Sequence, residues 1–74
     1  MNLTAMRNRR GISLHQIADD TKIGIRYLEA IEDGQFGKLP GGIYNISYIR
    51  QYAKAIDVSE SALLECYLRS TSVS

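Results

Sequence analysis

Apolar residues recur at helical spacing along most of the chain, and residues that favour turns separate the segments in which they do so. Leu3 and Met6 stand three residues apart in an arginine-rich stretch, which predicts a short first helix. This helix is expected to end near Gly11, because glycine readily adopts the left-handed conformation that closes a helix. Four further helical segments follow, so the sequence predicts an all-α chain.

The second and third segments are short and lie close together. Ser13 and Gln16 have the spacing of a capping box, which predicts that the second helix begins at Leu14. After a tight turn, the helical spacing of Leu28 and Ile31 predicts a third helix. Two short helices joined by about four residues form a helix-turn-helix.

A loop and two longer helices complete the predicted fold. The stretch 34–42 is rich in glycine and holds the only proline, so it is expected to be an ordered loop. A fourth helix is predicted for residues 43–57, and Ser59 is the expected cap of a fifth. The residues predicted to face the core are Leu14, Ile17, Ala18, Ile23, Leu28, Ile31, Ile46, Ile49, Ala53, Ile56, Leu63, Leu64, Tyr67 and Leu68.

Composition narrows the classes of function. The 74 residues carry a net charge of +1, with one cysteine and one histidine, so no metal site and no internal disulfide is expected. Cys66 is predicted to be a small buried hydrophobe, and no cofactor or catalytic constellation is expected. We predict a non-enzymatic, cytoplasmic domain at residues 1–69, and a polar linker or tail at residues 70–74.

Tyr44, Tyr48 and Tyr52 recur at every fourth residue and share one face of the predicted fourth helix. Rings beside an apolar stripe usually cover the edge of a core, and this structural role is favoured for Tyr52. Exposed aromatic residues are also typical anchors of protein interfaces. The stripe is therefore a candidate partner-binding surface, with binding favoured at Tyr48.

Binding of DNA is the alternative function, because the third helix of such a motif enters the major groove. Residues 11–37, however, hold two basic and five acidic residues, a balance of −3 that repels phosphate. Three arginines cluster at the end of the first helix: Arg7, Arg9 and Arg10. They favour DNA binding only if they do not simply form a charged face exposed to solvent. The candidate DNA contacts are Lys22, Ile25, Arg26, Ala30, Arg10 and Lys38.

Four short motifs resemble one bacterial family. They are T-K-I at 21–23, R-Y-L-E-A-I-E at 26–32, L-P-G at 39–41 and Y-I-R-Q-Y-A at 48–53. In this order they are similar to the cytoplasmic domain of RodZ-like proteins, within the lambda-repressor-like (Xre-type) superfamily. The resemblance covers residues 3 to about 68 and implies a compact five-helix lambda-repressor-like domain.

The resemblance also implies a partner and an arrangement of the whole protein. RodZ-like proteins have an N-terminal cytoplasmic module, a linker, a membrane-spanning helix and an extracytoplasmic part. The module docks on the bacterial actin homologue MreB through two aromatic residues of its fourth helix, which correspond to Tyr48 and Tyr52. We therefore expect a cell-shape adaptor that binds MreB, and keep an Xre-type transcriptional regulator as the alternative.

Overall fold

The computed structural model describes residues 2–72, which form five α-helices and one 3₁₀ helix without any strand. The all-α prediction is confirmed. The helices are α1 (Leu3–Arg9), α2 (Leu14–Thr21), α3 (Ile25–Asp33), the 3₁₀ helix (Phe36–Lys38), α4 (Ile43–Ala55) and α5 (Glu60–Ser72).

Side-chain caps mark the beginnings of α2 and α5. The Ser13 hydroxyl accepts from the Gln16 amide at 3.1 Å, and the Gln16 side chain accepts from the Ser13 amide at 2.8 Å. The predicted capping box is therefore confirmed, and it satisfies two amides that α2 cannot satisfy internally. At the start of α5, the Ser59 hydroxyl accepts from the amide of Ala62 at 3.2 Å, which confirms Ser59 as a cap.

The turn between α2 and α3 gives the helix-turn-helix its shape. Lys22 closes α2 in the left-handed conformation, with φ of 63°. The Thr21 hydroxyl donates to the carbonyl of Ile17 at 2.6 Å and accepts from the amide of Ile23 at 3.2 Å. These contacts hold the short connection in place, and Ile23 is buried beneath it.

All five α-helices and the 3₁₀ helix contribute side chains to one core. Of the residues predicted to face the core, eight are buried: Ile17, Ile23, Leu28, Ile31, Ile49, Ala53, Ile56 and Leu63. Four others are only half-buried: Leu14, Ala18, Leu64 and Tyr67. Leu3, Ala30, Phe36, Leu39 and Tyr52 also belong to the core. The buried hydrophobic residues are Leu3, Ile17, Ile23, Leu28, Ala30, Ile31, Phe36, Leu39, Ile49, Tyr52, Ala53, Ile56 and Leu63.

Three core predictions are wrong: Ile46 and Leu68 are exposed, and so is Cys66. On α5 the inward position is taken by Tyr67, whose ring meets Phe36 edge-on at 5.4 Å. Cys66 and Leu68 lie about 100° to either side of Tyr67, so both turn outward. On α4, Ile46 lies about 60° around the helix from the fully buried Ile49, beyond the arc that the core covers.

The last helix extends past the boundary predicted at residue 69. Helix α5 continues to Ser72, so residues 70–72 of the predicted polar tail are helical. Val73 and Ser74 lie outside the described residues.

Candidate interaction surface

Three tyrosines from two helices meet on the surface. The Tyr48 ring lies 5.7 Å from that of Tyr27 on α3 and 6.1 Å from that of Tyr44 on α4, measured between centroids. Tyr44 is 58% exposed, while Tyr27 and Tyr48 are half-buried. We call Tyr27, Tyr44 and Tyr48 the tyrosine cluster. Its tilted ring contacts are those that aromatic side chains favour.

The local backbone brings Tyr27 into this cluster. Gly24 precedes α3, and a Cβ atom at this glycine would lie 3.4 Å from Cδ2 of Tyr27. The ring therefore lies close over the turn of the helix-turn-helix. Tyr27 could not be placed on this surface from the sequence, because helical periodicity relates residues within one helix and Tyr27 belongs to another.

Tyr52 does not join the surface cluster. Its side chain is fully buried, with a relative exposure of 0%. The expectation that Tyr52 contacts a partner directly is therefore wrong for this fold, since no part of the ring is accessible. The structural role favoured for it on sequence grounds agrees with its burial.

Tyr52 instead lies beside a partly buried ion pair that joins α1 to α3. Nε of Arg7 lies 2.8 Å from Oε2 of Glu32, and the Thr4 hydroxyl donates to Oε1 at 2.7 Å. Arg7 also donates from Nη1 to the carbonyl of Ile12 at 2.9 Å. The side chains of Arg7 and Glu32 are only 12% and 4% exposed. We call Thr4, Arg7, Glu32 and Tyr52 the Arg7–Glu32 network.

The network shifts the pKa of its members. Burial alone would raise the pKa of Glu32, but hydrogen bonds from Arg7 and Thr4 outweigh it and hold the pKa below its usual value of 4.5. Burial and the neighbouring carboxylate raise the pKa of Tyr52 well above its usual value. The Tyr52 hydroxyl lies near Glu32 without reaching hydrogen-bonding geometry, so it is buried without a partner. The network is structural and leaves Tyr52 neutral.

The candidate DNA contacts on α3 are unevenly exposed. Arg26 and Lys22 are exposed, and Ile25 is half-buried. Ala30 is only 3% exposed, so the expectation that it touches a base is wrong. It lies on the inward side of α3, together with Ile31.

A groove of about 650 Å³ runs along α3 to the 3₁₀ helix. Its lining includes the cations Arg26 and Lys38 and the carboxylates Glu29 and Asp33, so it carries no net charge. Tyr27 also lines it, which connects the groove to the tyrosine cluster. A balanced groove offers little of the phosphate neutralisation on which DNA affinity depends.

The arginines near the end of α1 are also less available than their sequence suggests. Arg7 is held by Glu32, as described above. Nη1 of Arg10 lies 3.7 Å from the Asp57 carboxylate, and its Nη2 donates to the Asp57 carbonyl at 3.4 Å. The basic end of α1 is therefore partly neutralised by the protein itself.

Comparison with known proteins identifies the family of this domain. A family model described as "Helix-turn-helix domain" matches residues 2–63. The chain belongs to this helix-turn-helix family. No solved structure matches the chain.

The helix-turn-helix domain is similar to parts of two larger bacterial proteins. It is 32% identical over 65 residues to "Cytoskeleton protein RodZ" of Streptococcus pneumoniae (strain ATCC BAA-255 / R6), a match covering 88% of this chain and 24% of that protein. It is 39% identical over 54 residues to "Uncharacterized membrane protein YmfM" of Bacillus subtilis (strain 168), which covers 73% of this chain and 19% of that protein. The predicted resemblance to RodZ-like domains is confirmed.

The described part of the helix-turn-helix domain has neither a metal-binding cluster nor a helix suited to span a membrane. Residues 2–72 bring together no group of three His, Cys, Asp or Glu side chains suited to a metal ion. None of the helices in the same range combines the length and the apolar character that crossing a bilayer requires. The tyrosine cluster is the candidate interaction site of the domain.

Proposed function

We propose that this helix-turn-helix domain is a binding module rather than an enzyme, and that its tyrosine cluster docks on the bacterial actin homologue MreB. The observation that carries the proposal is the surface contact of Tyr48 with Tyr27 and Tyr44. Aromatic rings that stay accessible on a rigid surface are the commonest anchors of protein interfaces. Tyr52 is buried in the core and is not itself a contact.

Similarity to a cytoskeleton protein supports this choice of partner. The relative named RodZ is about four times longer than the segment matched here, so only its helix-turn-helix part bears on the proposal. The other relative is named a membrane protein. We propose that the domain works on the cytoplasmic face of the membrane, where an actin-like filament is accessible.

The experiment is co-sedimentation of the domain with MreB filaments. Tyr48→Ala removes the central ring of the cluster and should weaken binding by about 2 kcal/mol, or roughly thirtyfold. Tyr44→Ala should have a smaller effect in the same direction, because Tyr44 contacts only Tyr48 within the cluster. Tyr48→Phe keeps the ring and should keep most of the affinity.

The matched control is Leu68→Ala. Leu68 and Tyr44 are similarly exposed, but Leu68 lies on α5, away from the cluster. Leu68→Ala should therefore bind filaments as the unmodified domain does. Unchanged binding by Tyr48→Ala, with the helical circular dichroism spectrum retained, would refute the docking surface.

Sequence-specific DNA binding is the second candidate function. It is favoured by the helix-turn-helix geometry together with the exposed cations Lys22, Arg26 and Lys38 near α3. Arg10 would contact the phosphate backbone in this alternative, although it also contacts Asp57. The balanced charge of the α3 groove predicts only weak binding that disappears as salt rises. Selective, sub-micromolar binding of a duplex at physiological salt would favour this alternative over filament docking.

A further inference from the structure

The tyrosine cluster is too small to be a complete protein interface. A stable interface buries about 800 Å² on each partner. A whole aromatic side chain offers only about 150–250 Å², and two of the three rings, Tyr27 and Tyr48, are half-buried. A partner that binds the cluster stably must therefore also contact the surface beside it.

The α3 groove is a surface that continues directly from the cluster. Tyr27 lines this groove, and the same ring lies 5.7 Å from the ring of Tyr48, measured between centroids. The groove measures about 650 Å³, a volume typical of binding sites. One partner can therefore cover the cluster and enter the groove at the same time.

The ionic side chains of the groove are available to a partner. Four exposed ones line it: Arg26, Glu29, Asp33 and Lys38. Within residues 2–72, none of these four takes part in an ion pair. By contrast, Arg7, Arg10 and Arg50 are each held by a carboxylate of the chain itself. A partner can pair with the charges of the groove without first breaking an ion pair of the domain.

The charges on α3 have a fixed order along the groove. Glu29 follows Arg26 by about one turn and Asp33 follows it by about two, so the three share a helix face. Lys38 of the 3₁₀ helix adds a second cation to the lining. A complementary partner therefore places a carboxylate against Arg26 and a cation against the two carboxylates that follow.

The presence of both signs narrows the class of partner. A nucleic acid or an anionic bilayer carries charge of one sign, so it would meet Glu29 and Asp33 as well as the cations. A polypeptide carries both signs and can match a mixed pattern of charge. The groove is therefore suited to a protein segment that holds a carboxylate and a cation.

We infer that the α3 groove is a second part of the docking surface and takes a charged segment of the same filament subunit that the tyrosine cluster binds. This inference rests on the proposed function, because it assigns a further contact to the same partner. The rings supply apolar contact area. The groove fixes the orientation of the partner through pairs of defined sign.

The test is co-sedimentation with MreB filaments of two charge reversals of opposite sign. Arg26→Glu and Glu29→Lys should each weaken binding by about tenfold, because each brings like charges together in the groove. The two substitutions change the net charge in opposite directions. A general attraction or repulsion between the domain and the filament would therefore strengthen binding in one variant and weaken it in the other. Weakening by both variants is the result expected for paired contacts.

Lys54→Glu and Asp19→Lys are the matched controls. They make the same two changes of charge at exposed positions outside the groove, on α4 and α2. Both should bind filaments as the unmodified domain does. Circular dichroism verifies that all four variants keep the fold, which their exposed positions favour. Groove variants that bind no more weakly than their controls overturn the inference.

Opposite effects of Arg26→Glu and Glu29→Lys on filament binding also overturn it. A second arm titrates a DNA duplex, and selective binding that Glu29→Lys strengthens would assign the groove to nucleic acid instead.

Tyr48→Ala separates the inference from the proposed function. If Tyr48→Ala weakens filament binding and the groove variants do not, only the groove contact is wrong. If both groove variants weaken binding and Tyr48→Ala does not, the groove contact is retained and the tyrosine cluster is wrong.

Discussion

Tyr48 and Tyr52 lie one turn apart on α4 and belong to different regions. Tyr48 is part of the tyrosine cluster, where its ring meets Tyr27 at the surface. Tyr52 is part of the Arg7–Glu32 network and is fully buried. The difference comes from what covers each ring, because Tyr48 meets the surface rings of Tyr27 and Tyr44 whereas Tyr52 is buried beside Arg7 of α1 and Glu32 of α3. Helical spacing alone cannot distinguish an anchor for a partner from a part of the core.

The largest expected effect is a difference in domain stability between the alanine variants of these two tyrosines. Tyr52→Ala should lower the free energy of unfolding by about 3–5 kcal/mol, since it leaves a cavity in the core. Tyr48→Ala should lower it by about 1 kcal/mol, because its ring is half-buried. Denaturant unfolding measures both values. Equal losses would contradict the division of α4 into a surface tyrosine and a core tyrosine.

Tyr52→Phe tests the role of the buried hydroxyl alone, because it keeps the ring and removes the hydroxyl. That hydroxyl has no hydrogen-bond partner, so the substitution should be neutral or stabilise the domain by up to about 1 kcal/mol. A loss of stability instead would show that the hydroxyl does donate to Glu32.

The next largest expected effect on stability concerns the ion pair of the Arg7–Glu32 network. Arg7→Ala should cost about 3 kcal/mol, because it leaves the Glu32 carboxylate with little water and without its cation. Arg50→Ala is the control, since its contact with Glu60 is more exposed and should cost less than about 1 kcal/mol. Similar costs for the two variants would contradict a special role for the buried pair.

Lowering the pH tests the Arg7–Glu32 ion pair without replacing a residue. Because the folded state lowers the pKa of Glu32, its charge contributes stability that is fully present above the usual value of 4.5. That contribution is lost as the pH falls through the lowered pKa. Unfolding curves between about pH 5 and about pH 2 should therefore show a falling free energy of unfolding, with a shallower fall in Glu32→Gln. An identical slope in this variant would assign the acid sensitivity to other carboxylates.

A small effect is expected outside both regions. Ser13→Ala removes the hydroxyl that caps α2 and should cost about 1 kcal/mol of stability. Filament docking should not change when measured below the melting temperature. An unchanged melting midpoint would show that the Gln16 half of the capping box is sufficient.

Local chemistry explains what could be predicted from the sequence. The Ser13–Gln16 box and the buried stripe of Ile49, Ala53 and Ile56 depend on residues a few positions apart, and the structure confirms them. The Arg7–Glu32 pair joins residues 25 apart, and its formation depends on how α1 packs on α3. No periodicity within one helix contains that information.

The residues of the candidate site likewise include some that local spacing predicts and some that it cannot predict. Tyr44 and Tyr48 were found from their spacing on one helix. A structural role was favoured for Tyr52 from its position beside the apolar stripe, and its burial agrees with that role. The contribution of Tyr27 depends on a neighbouring helix, so the sequence could not supply it. The exposure of Leu68 also depends on a distant residue, because Tyr67 turns inward to meet Phe36.

Asn45 has a consequence for how tightly a partner can be held. This buried amide accepts from the Gly41 amide at 2.7 Å and donates to the Tyr67 hydroxyl, so it ties the loop between α3 and α4 to α5. The part of α4 that carries Tyr44 and Tyr48 is thereby anchored to α5 before any partner arrives. A surface that is preorganised in this way loses little conformational entropy on binding, so more of the contact energy remains as affinity.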